Sequence, residues 1–157
     1  MKLANEFSGG LEAANEDRFA IIVSRYNSNI TEKLLVGAIE SLESHGVKPE
    51  NMDVFRVPGA WELSIACQKA AESKKYAAVI CLGAVIRGET THDQYINQQV
   101  SLSLGNISLQ FGIPVSFGLL TCNNMEQAIH RAGGNVGNKG IECAEAALEM
   151  VGLLKQI

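Results

Sequence analysis

The chain has 157 residues, which predicts one domain that is large enough to bury a core. Its net charge of -4 and pI near 5.4 argue against nucleic acid or an anionic membrane surface as the main partner. The longest apolar runs, residues 19–23 and 77–82, are too short to span a bilayer, and the N-terminus lacks the apolar core of a signal peptide. We therefore expect a cytoplasmic protein.

Strands and helices alternate along the sequence. The predicted strands are residues 19–23, 53–57, 76–82 and 113–120. The predicted helices are residues 30–42, 61–73, 92–110, a short helix that begins at a capping box formed by Asn123 and Glu126, and residues 141–155. Residues 83–91 form a glycine-bearing loop, and residues 133–140 are a break rich in glycine and asparagine.

This alternation predicts an α/β fold with a mostly parallel sheet covered by helices on both faces. We expect a flavodoxin-like three-layer α/β/α sandwich whose four parallel strands have the order 2-1-3-4. The whole chain, residues 1–157, is interpreted as one domain, with residues 1–17 as an N-terminal arm.

The four cysteines are interpreted as small buried side chains in a reducing compartment. Cys67, Cys81, Cys122 and Cys143 form no CxxC pair, and each lies in an apolar or helical context. The three histidines do not add the close ligand pairs that a zinc site needs. We therefore predict no metal site.

Ligands of open α/β sheets bind at the carboxyl ends of the strands, which selects four segments as candidates. They are residues 24–27, 57–62 and 83–92, and the end of the fourth strand, which we place near Phe117 and Gly118. Tyr26 and Trp61 offer aromatic faces on which a flat heterocycle could stack, although either could instead cap the core. Asn27 and Glu62 could hydrogen-bond the edge of a polar ring.

The stretch from Gly88 to Thr91 lies where a helix begins. Free backbone N–H groups and the helix dipole favour a phosphate there, whereas the alternative is ordinary capping of the helix by Thr90 or Thr91. His92 follows at once and can transfer protons near neutral pH, although a lone histidine is more often structural.

Three cations are candidate phosphate partners. Arg87 lies in the same loop, Arg131 ends a helix, and Lys139 lies in the glycine-rich break. The alternatives are a favourable helix-dipole contact for Arg131 and a solvated loop charge for Lys139. The residues alone therefore indicate an enzyme that holds a planar polar ring and a small phosphate, with the reaction left open.

The chain resembles the lumazine synthases (6,7-dimethyl-8-ribityllumazine synthases) over residues 18–154. The motifs that carry the resemblance are Arg25-Tyr26-Asn27, Val57-Pro58-Gly59-Ala60-Trp61-Glu62, Leu82-Gly83-Ala84-Val85-Ile86-Arg87-Gly88-Glu89-Thr90-Thr91-His92, Phe117-Gly118, Gln127-Ala128-Ile129-His130-Arg131-Ala132-Gly133 and Gly137-Asn138-Lys139-Gly140. Their joint order and spacing are highly specific. The resemblance implies a transferase of riboflavin biosynthesis that condenses 5-amino-6-(D-ribitylamino)uracil with 3,4-dihydroxy-2-butanone 4-phosphate, without a cofactor or a metal.

The resemblance also implies a role for individual residues. The pyrimidine substrate would be bound by Tyr26, Asn27, Ala60, Trp61, Glu62, Ala84, Val85, Ile86 and Phe117. The phosphate would be bound by Glu89, Thr90, Arg131 and Lys139, and His92 would transfer protons. Phe117 and Arg131 would come from a neighbouring subunit. Tyr26 departs from the usual phenylalanine or tryptophan, and the Glu89 carboxylate would repel phosphate unless only its backbone N–H contributes.

Assembly into homo-oligomers with shared active sites follows from the same resemblance. Members form pentamers, and some build a shell of sixty subunits. Residues 5–11 are expected to add a strand to the sheet of the next subunit, which would cover an exposed edge. The short turn at residues 133–140 permits a shell but does not establish it. Riboflavin synthase is a further partner that the resemblance suggests.

Two other interpretations remain open. A flavodoxin-like carrier would bind FMN or another flavin and would leave His92 and Arg131 without a role. A shell protein that has lost catalysis would not need the intact set of Tyr26, Trp61, Thr90, His92 and Arg131.

Overall fold

A computed structural model describes residues 4–157, so the first three residues of the predicted arm lie outside the described part of the chain. The strands are β1 (Phe19–Ser24), β2 (Met52–Val57), β3 (Ala78–Ile86), β4 (Val115–Cys122), β5 (Ala132–Gly134) and β6 (Gly137–Asn138). The α-helices are α1 (Ser28–Ser44), α2 (Leu63–Glu72), α3 (His92–Phe111), α4 (Met125–Arg131) and α5 (Lys139–Leu154). Short 3-10 turns at Pro49–Asn51 and Ala60–Glu62 precede β2 and α2.

The four long strands form one parallel sheet with the order β2-β1-β3-β4, which confirms the predicted fold class and strand order. All six side chains of β1 are buried because helices cover both faces of the sheet. Phe19, Ile21 and Val23 pack with α1 and α5, whereas Ala20 and Ile22 pack with α2 and α3. The apolar run that predicted β1 is thus divided between two cores.

The predicted ends of β3 and β4 were wrong by up to four residues. β3 runs on to Ile86 and not to Leu82, because β4 pairs with it as far as Ile86 and Cys122. The glycine-bearing loop is therefore reduced to residues 87–91. β4 is shifted by two residues toward the C-terminus, so Phe117 is its third residue and does not lie at the strand end where we expected it.

Local capping explains the differences at the helix ends. Residues 60–62 form a 3-10 turn, so α2 begins at Leu63 rather than at Trp61. The box at α4 is offset by one residue, since the Asn124 side chain accepts from the Gln127 N–H and the Gln127 side chain accepts from the Asn123 N–H. Asn138 caps α5 through the Gly140 N–H, so that helix begins two residues early. The predicted break overlaps the antiparallel β5–β6 pair, which begins one residue before it at Ala132.

The N-terminal segment is attached to α5 of its own chain. A Cβ on Gly9 would lie 1.7 Å from the carbonyl oxygen of Glu149, so the backbone of the segment contacts that of the helix. Gln156 donates to the Ser8 carbonyl, and the buried Asp17 pairs with Lys155 at 2.7 Å. Pairing of residues 5–11 with a neighbouring subunit stays a prediction.

Candidate active site

A cavity of about 450 Å³ lies at the carboxyl ends of β1, β2 and β3, where the topology predicted a ligand. Gly59, Gly88, Asp93 and Ile96 contribute to its walls. The predicted site residues that line it are Tyr26, Asn27, Ala60, Trp61, Glu62, Ala84, Val85, Ile86, Thr90 and His92. Three separate loops of one chain thus form a single concave site.

Tyr26 and Trp61 present their rings to this cavity. Tyr26 is 73% exposed and Trp61 is 54% exposed, which is too open for side chains that seal a core. The two loops that carry them are joined by backbone hydrogen bonds, from the Arg25 N–H to the Val57 carbonyl and from the Tyr26 N–H to the Pro58 carbonyl. These bonds hold the two loops beside each other, and the exposed aromatic faces are free to stack on a planar ligand.

Asn27 and Glu62 each use one polar atom to hold the site together. The Asn27 side-chain amide donates to the Ala84 carbonyl at 2.9 Å, which links the end of β1 to β3. Asn27 adopts the left-handed backbone conformation that its residue type tolerates, with φ of 60°. One carboxylate oxygen of Glu62 accepts from the Gly59 N–H at 2.9 Å. The remaining oxygens of both side chains can still receive a ligand.

The end of β3 offers backbone groups to the cavity. β1 pairs with β3 only as far as Leu82, so the next four residues of β3 extend beyond that neighbour. The Ala84 carbonyl points to this open side, because Asn27 reaches it there. Backbone groups alternate along a strand, so the N–H and carbonyl of Ile86 point to the same side. A polar ring edge could bind them.

The start of α3 has no side-chain cap. Thr91 occupies the N-cap position, but its side chain makes no capping hydrogen bond, so ordinary capping by a threonine is not what this helix uses. The Gln94 N–H bonds to the Thr91 carbonyl. His92 is the first residue of α3, and both His92 and Thr90 line the cavity. The helix N-terminus can therefore receive an anion beside the imidazole.

Four predicted site residues lie outside this cavity. Phe117 is 44% exposed on the edge strand β4, and with Lys139 it lines a second cavity of about 420 Å³. Lys139 is also ion-paired with Glu142. Arg131 is an exposed side chain at the end of α4 and lines neither of these cavities. Glu89 is exposed and is absent from both linings, although its neighbours Gly88 and Thr90 contribute to the first.

Arg131 is close enough to the end of β4 to act on Cys122. Burial raises the pKa of the Cys122 thiol, and the positive charge of Arg131 opposes that shift. All four cysteines are free and buried, as the sequence predicted.

Sequence reasoning missed Asp93 and Ile96 as lining residues. Ile96 follows His92 by four positions along α3, so the helical repeat could have placed it beside His92. Asp93 is the next residue in sequence, and the helical repeat does not place it on the same face. Asp93 is also the acidic residue in the first turn of that helix.

The model of the 6,7-dimethyl-8-ribityllumazine synthase family matches residues 16–155. The chain belongs to the lumazine synthase family. It is accordingly a transferase of riboflavin biosynthesis. The match to this family includes every residue that lines the first cavity, together with Phe117, Arg131 and Lys139, and it leaves out most of the N-terminal arm.

Membrane-spanning and metal-binding features are absent from residues 4–157. No helix there is long and apolar enough to cross a membrane. No group of three or more histidine, cysteine, aspartate or glutamate side chains in the same residues is arranged to hold a metal ion.

Proposed function

We propose that this protein condenses 5-amino-6-(D-ribitylamino)uracil with 3,4-dihydroxy-2-butanone 4-phosphate to give 6,7-dimethyl-8-ribityllumazine, phosphate and water. The observation that carries the proposal is the cavity itself, which combines two open aromatic faces, free backbone groups of β3 and an uncapped helix start. The pyrimidine amine attacks the ketone and water leaves to give an imine, phosphate is then eliminated, and the second nitrogen closes the ring with loss of a second water.

The pyrimidine would occupy the part of the cavity between Tyr26 and Trp61. Stacking on an exposed ring holds a planar heterocycle, and the Ile86 backbone groups supply a donor and an acceptor for its edge. Glu62, next to Trp61, would bind hydroxyls of the ribityl chain. This arrangement leaves the amino groups free to react.

The phosphate would bind at the start of α3. Thr90 contributes its hydroxyl, and the uncapped N–H groups of the first turn face the anion. Glu89 would contribute its backbone N–H alone, since its side chain is exposed. Arg131 and Lys139 would complete the subsite from a neighbouring subunit, because neither lines this cavity within one chain.

His92 would donate and accept the protons that the imine and elimination steps exchange. Its imidazole lines the cavity at the first residue of α3, beside the proposed phosphate. Most of the acceleration would come from holding two reactive substrates together, since the condensation is intrinsic to their functional groups. Neither a cofactor nor a metal is needed in this scheme.

The proposed assembly is a homo-oligomer, a pentamer or a larger closed shell, in which each site lies between two subunits. Phe117 on the edge strand β4 would close the pyrimidine pocket of the next subunit. Light scattering would distinguish a pentamer, a decamer and a sixty-subunit shell. A monomer that is stable and active would contradict a shared site. Binding of riboflavin synthase to such an assembly is a further proposal.

Mixing the purified protein with the two substrates tests the proposed reaction. Formation of the lumazine, followed by its absorbance and fluorescence, is the expected result. A flavin carrier would instead be yellow when purified and would form no product. A shell protein without catalysis would assemble, bind no flavin and form no product.

Replacing His92 with alanine is expected to lower kcat about 100-fold without abolishing turnover, because proton transfer is one contribution among several. Steady-state kinetics of the folded variant measure the effect. His45→Gln is the matched control, since His45 lies at the end of α1, outside the cavity. Complete loss of product in a folded His92→Ala protein would show that His92 does more than transfer protons.

A further inference from the structure

Asp93 has no role in the scheme above, although it lies beside His92 and lines the same cavity. We propose, resting on the proposed function, that Asp93 sets the balance between the two substrates. Its carboxylate accepts a hydrogen bond from the neutral, donor-rich amine substrate, and its charge weakens binding of the phosphate.

The first observation is an unsatisfied carboxylate. Oδ1 of Asp93 is shielded from solvent and accepts no hydrogen bond within the described residues. Oδ1 of Asn97, one helical turn later on the same face of α3, is in the same condition. Buried oxygens normally have a donor, so both atoms call for an explanation. A ligand cannot reach the shielded Oδ1, but the second oxygen of the same carboxylate, Oδ2, is not among these shielded atoms and can accept from a donor on a ligand in the cavity.

The second observation is the position of Asp93. It is the acidic residue of the first turn of α3 and lines the cavity, so its charge lies within one helical turn of the uncapped N-terminus to which the phosphate is assigned. Two negative groups at one helix terminus share the same favourable dipole and repel each other. Asp93 therefore lowers the affinity for phosphate, and inorganic phosphate is one of the products that must leave.

The chemistry of the two substrates decides which one Asp93 attracts. The ribitylaminouracil is uncharged at its amines and hydroxyls and presents several N–H and O–H donors. The butanone phosphate carries a dianionic group that a carboxylate opposes. An acceptor-only side chain on the cavity wall therefore favours the first substrate and disfavours the second.

Asp93→Asn keeps the shape of the side chain and removes its charge. We expect the Kd for inorganic phosphate to fall about fivefold, because the repulsion is gone. We expect KM for the ribitylaminouracil to rise about fivefold, because a neutral acceptor binds a donor less strongly than a carboxylate. Titration calorimetry with inorganic phosphate gives the first value and steady-state kinetics the second.

Control variants separate this role from a general effect of charge or packing. Glu40→Gln removes one negative charge from the exposed face of α1, away from the cavity, and should leave both constants unchanged. Asp93→Glu restores the charge and should return the phosphate Kd to that of the parent protein. If Asp93→Asn does not fold, Asp93→Ser also removes the charge and should move both constants in the same directions as expected for asparagine.

The inference is wrong if the phosphate Kd and the KM for the ribitylaminouracil are both unchanged in Asp93→Asn, or if both move in the same direction. Failure of the parent protein to form lumazine would instead contradict the proposed function. The phosphate titration does not depend on turnover, so it tests the effect of the Asp93 charge in either case.

Discussion

Replacing Arg131 with alanine is expected to raise KM for the butanone phosphate about 100-fold, with a much smaller effect on KM for the ribitylaminouracil. The reason is the loss of a charge-assisted, bidentate hydrogen bond from the guanidinium to the phosphate, which costs about 3 kcal/mol in an enclosed site. Arg131 is exposed at the end of α4 in the single chain, so no intramolecular partner is lost with it. Kinetics with each substrate varied in turn measure the difference.

Arg131→Lys is the matched control, since it keeps the positive charge but lacks the planar guanidinium group. It should recover part of the affinity for the butanone phosphate. Unchanged KM and kcat for the phosphate substrate in Arg131→Ala would remove Arg131 from the site.

Mixed assemblies test whether Arg131 acts on a neighbouring subunit. Trp61→Ala removes a wall of the cavity, whereas Arg131→Ala removes the proposed contribution from the next chain. Each variant alone should be weakly active. If each site combines two chains and the variants are mixed in equal amounts, about a quarter of the sites pair an intact Trp61 from one chain with an intact Arg131 from the next. Recovered activity of that size supports a shared site. If Arg131 acts within its own chain, mixing recovers nothing.

Gly140→Ala is expected to cause a large loss of stability. Gly140 is the second residue of α5, and a Cβ there would lie 1.9 Å from the Leu34 carbonyl oxygen of α1. Asn138 joins the same two helices by donating to the Lys33 carbonyl and accepting from the Gly140 N–H. The added methyl group must force the helices apart, which costs about 3 kcal/mol and lowers Tm by about 10 °C.

Thermal unfolding at one fixed protein concentration measures this effect, because assembly itself adds to the apparent stability. Gly105→Ala is the matched control: Gly105 lies within α3, and a Cβ added there would meet no atom of the described residues within 4 Å beyond its own stretch of helix. That variant should be neutral or slightly stabilising, since alanine favours a helix. Equal Tm values for the two variants would contradict the prediction, because they would show that α1 and α5 accommodate the added methyl group without loss of stability.

Much of the candidate site could be predicted from the sequence because the fold places it. The apolar run at β1 and the alternation of strands and helices indicate a buried parallel sheet, and the carboxyl ends of such strands gather their loops. Tyr26, Trp61, Thr90 and His92 were accordingly predicted, and they line one cavity. These features depend on local patterns and on the handedness of strand connections, which a sequence carries in itself.

Other features depend on contacts between distant parts of the chain. β3 continues past Leu82 only because β4 is there to pair with it, and that pairing leaves Phe117 in mid-strand on an exposed edge. Asp93 became a cavity residue only once α3 was placed against the Ala60–Glu62 turn. Strand ends and cavity walls are set by pairing energy and burial across the whole fold, and neither quantity can be read from neighbours in sequence.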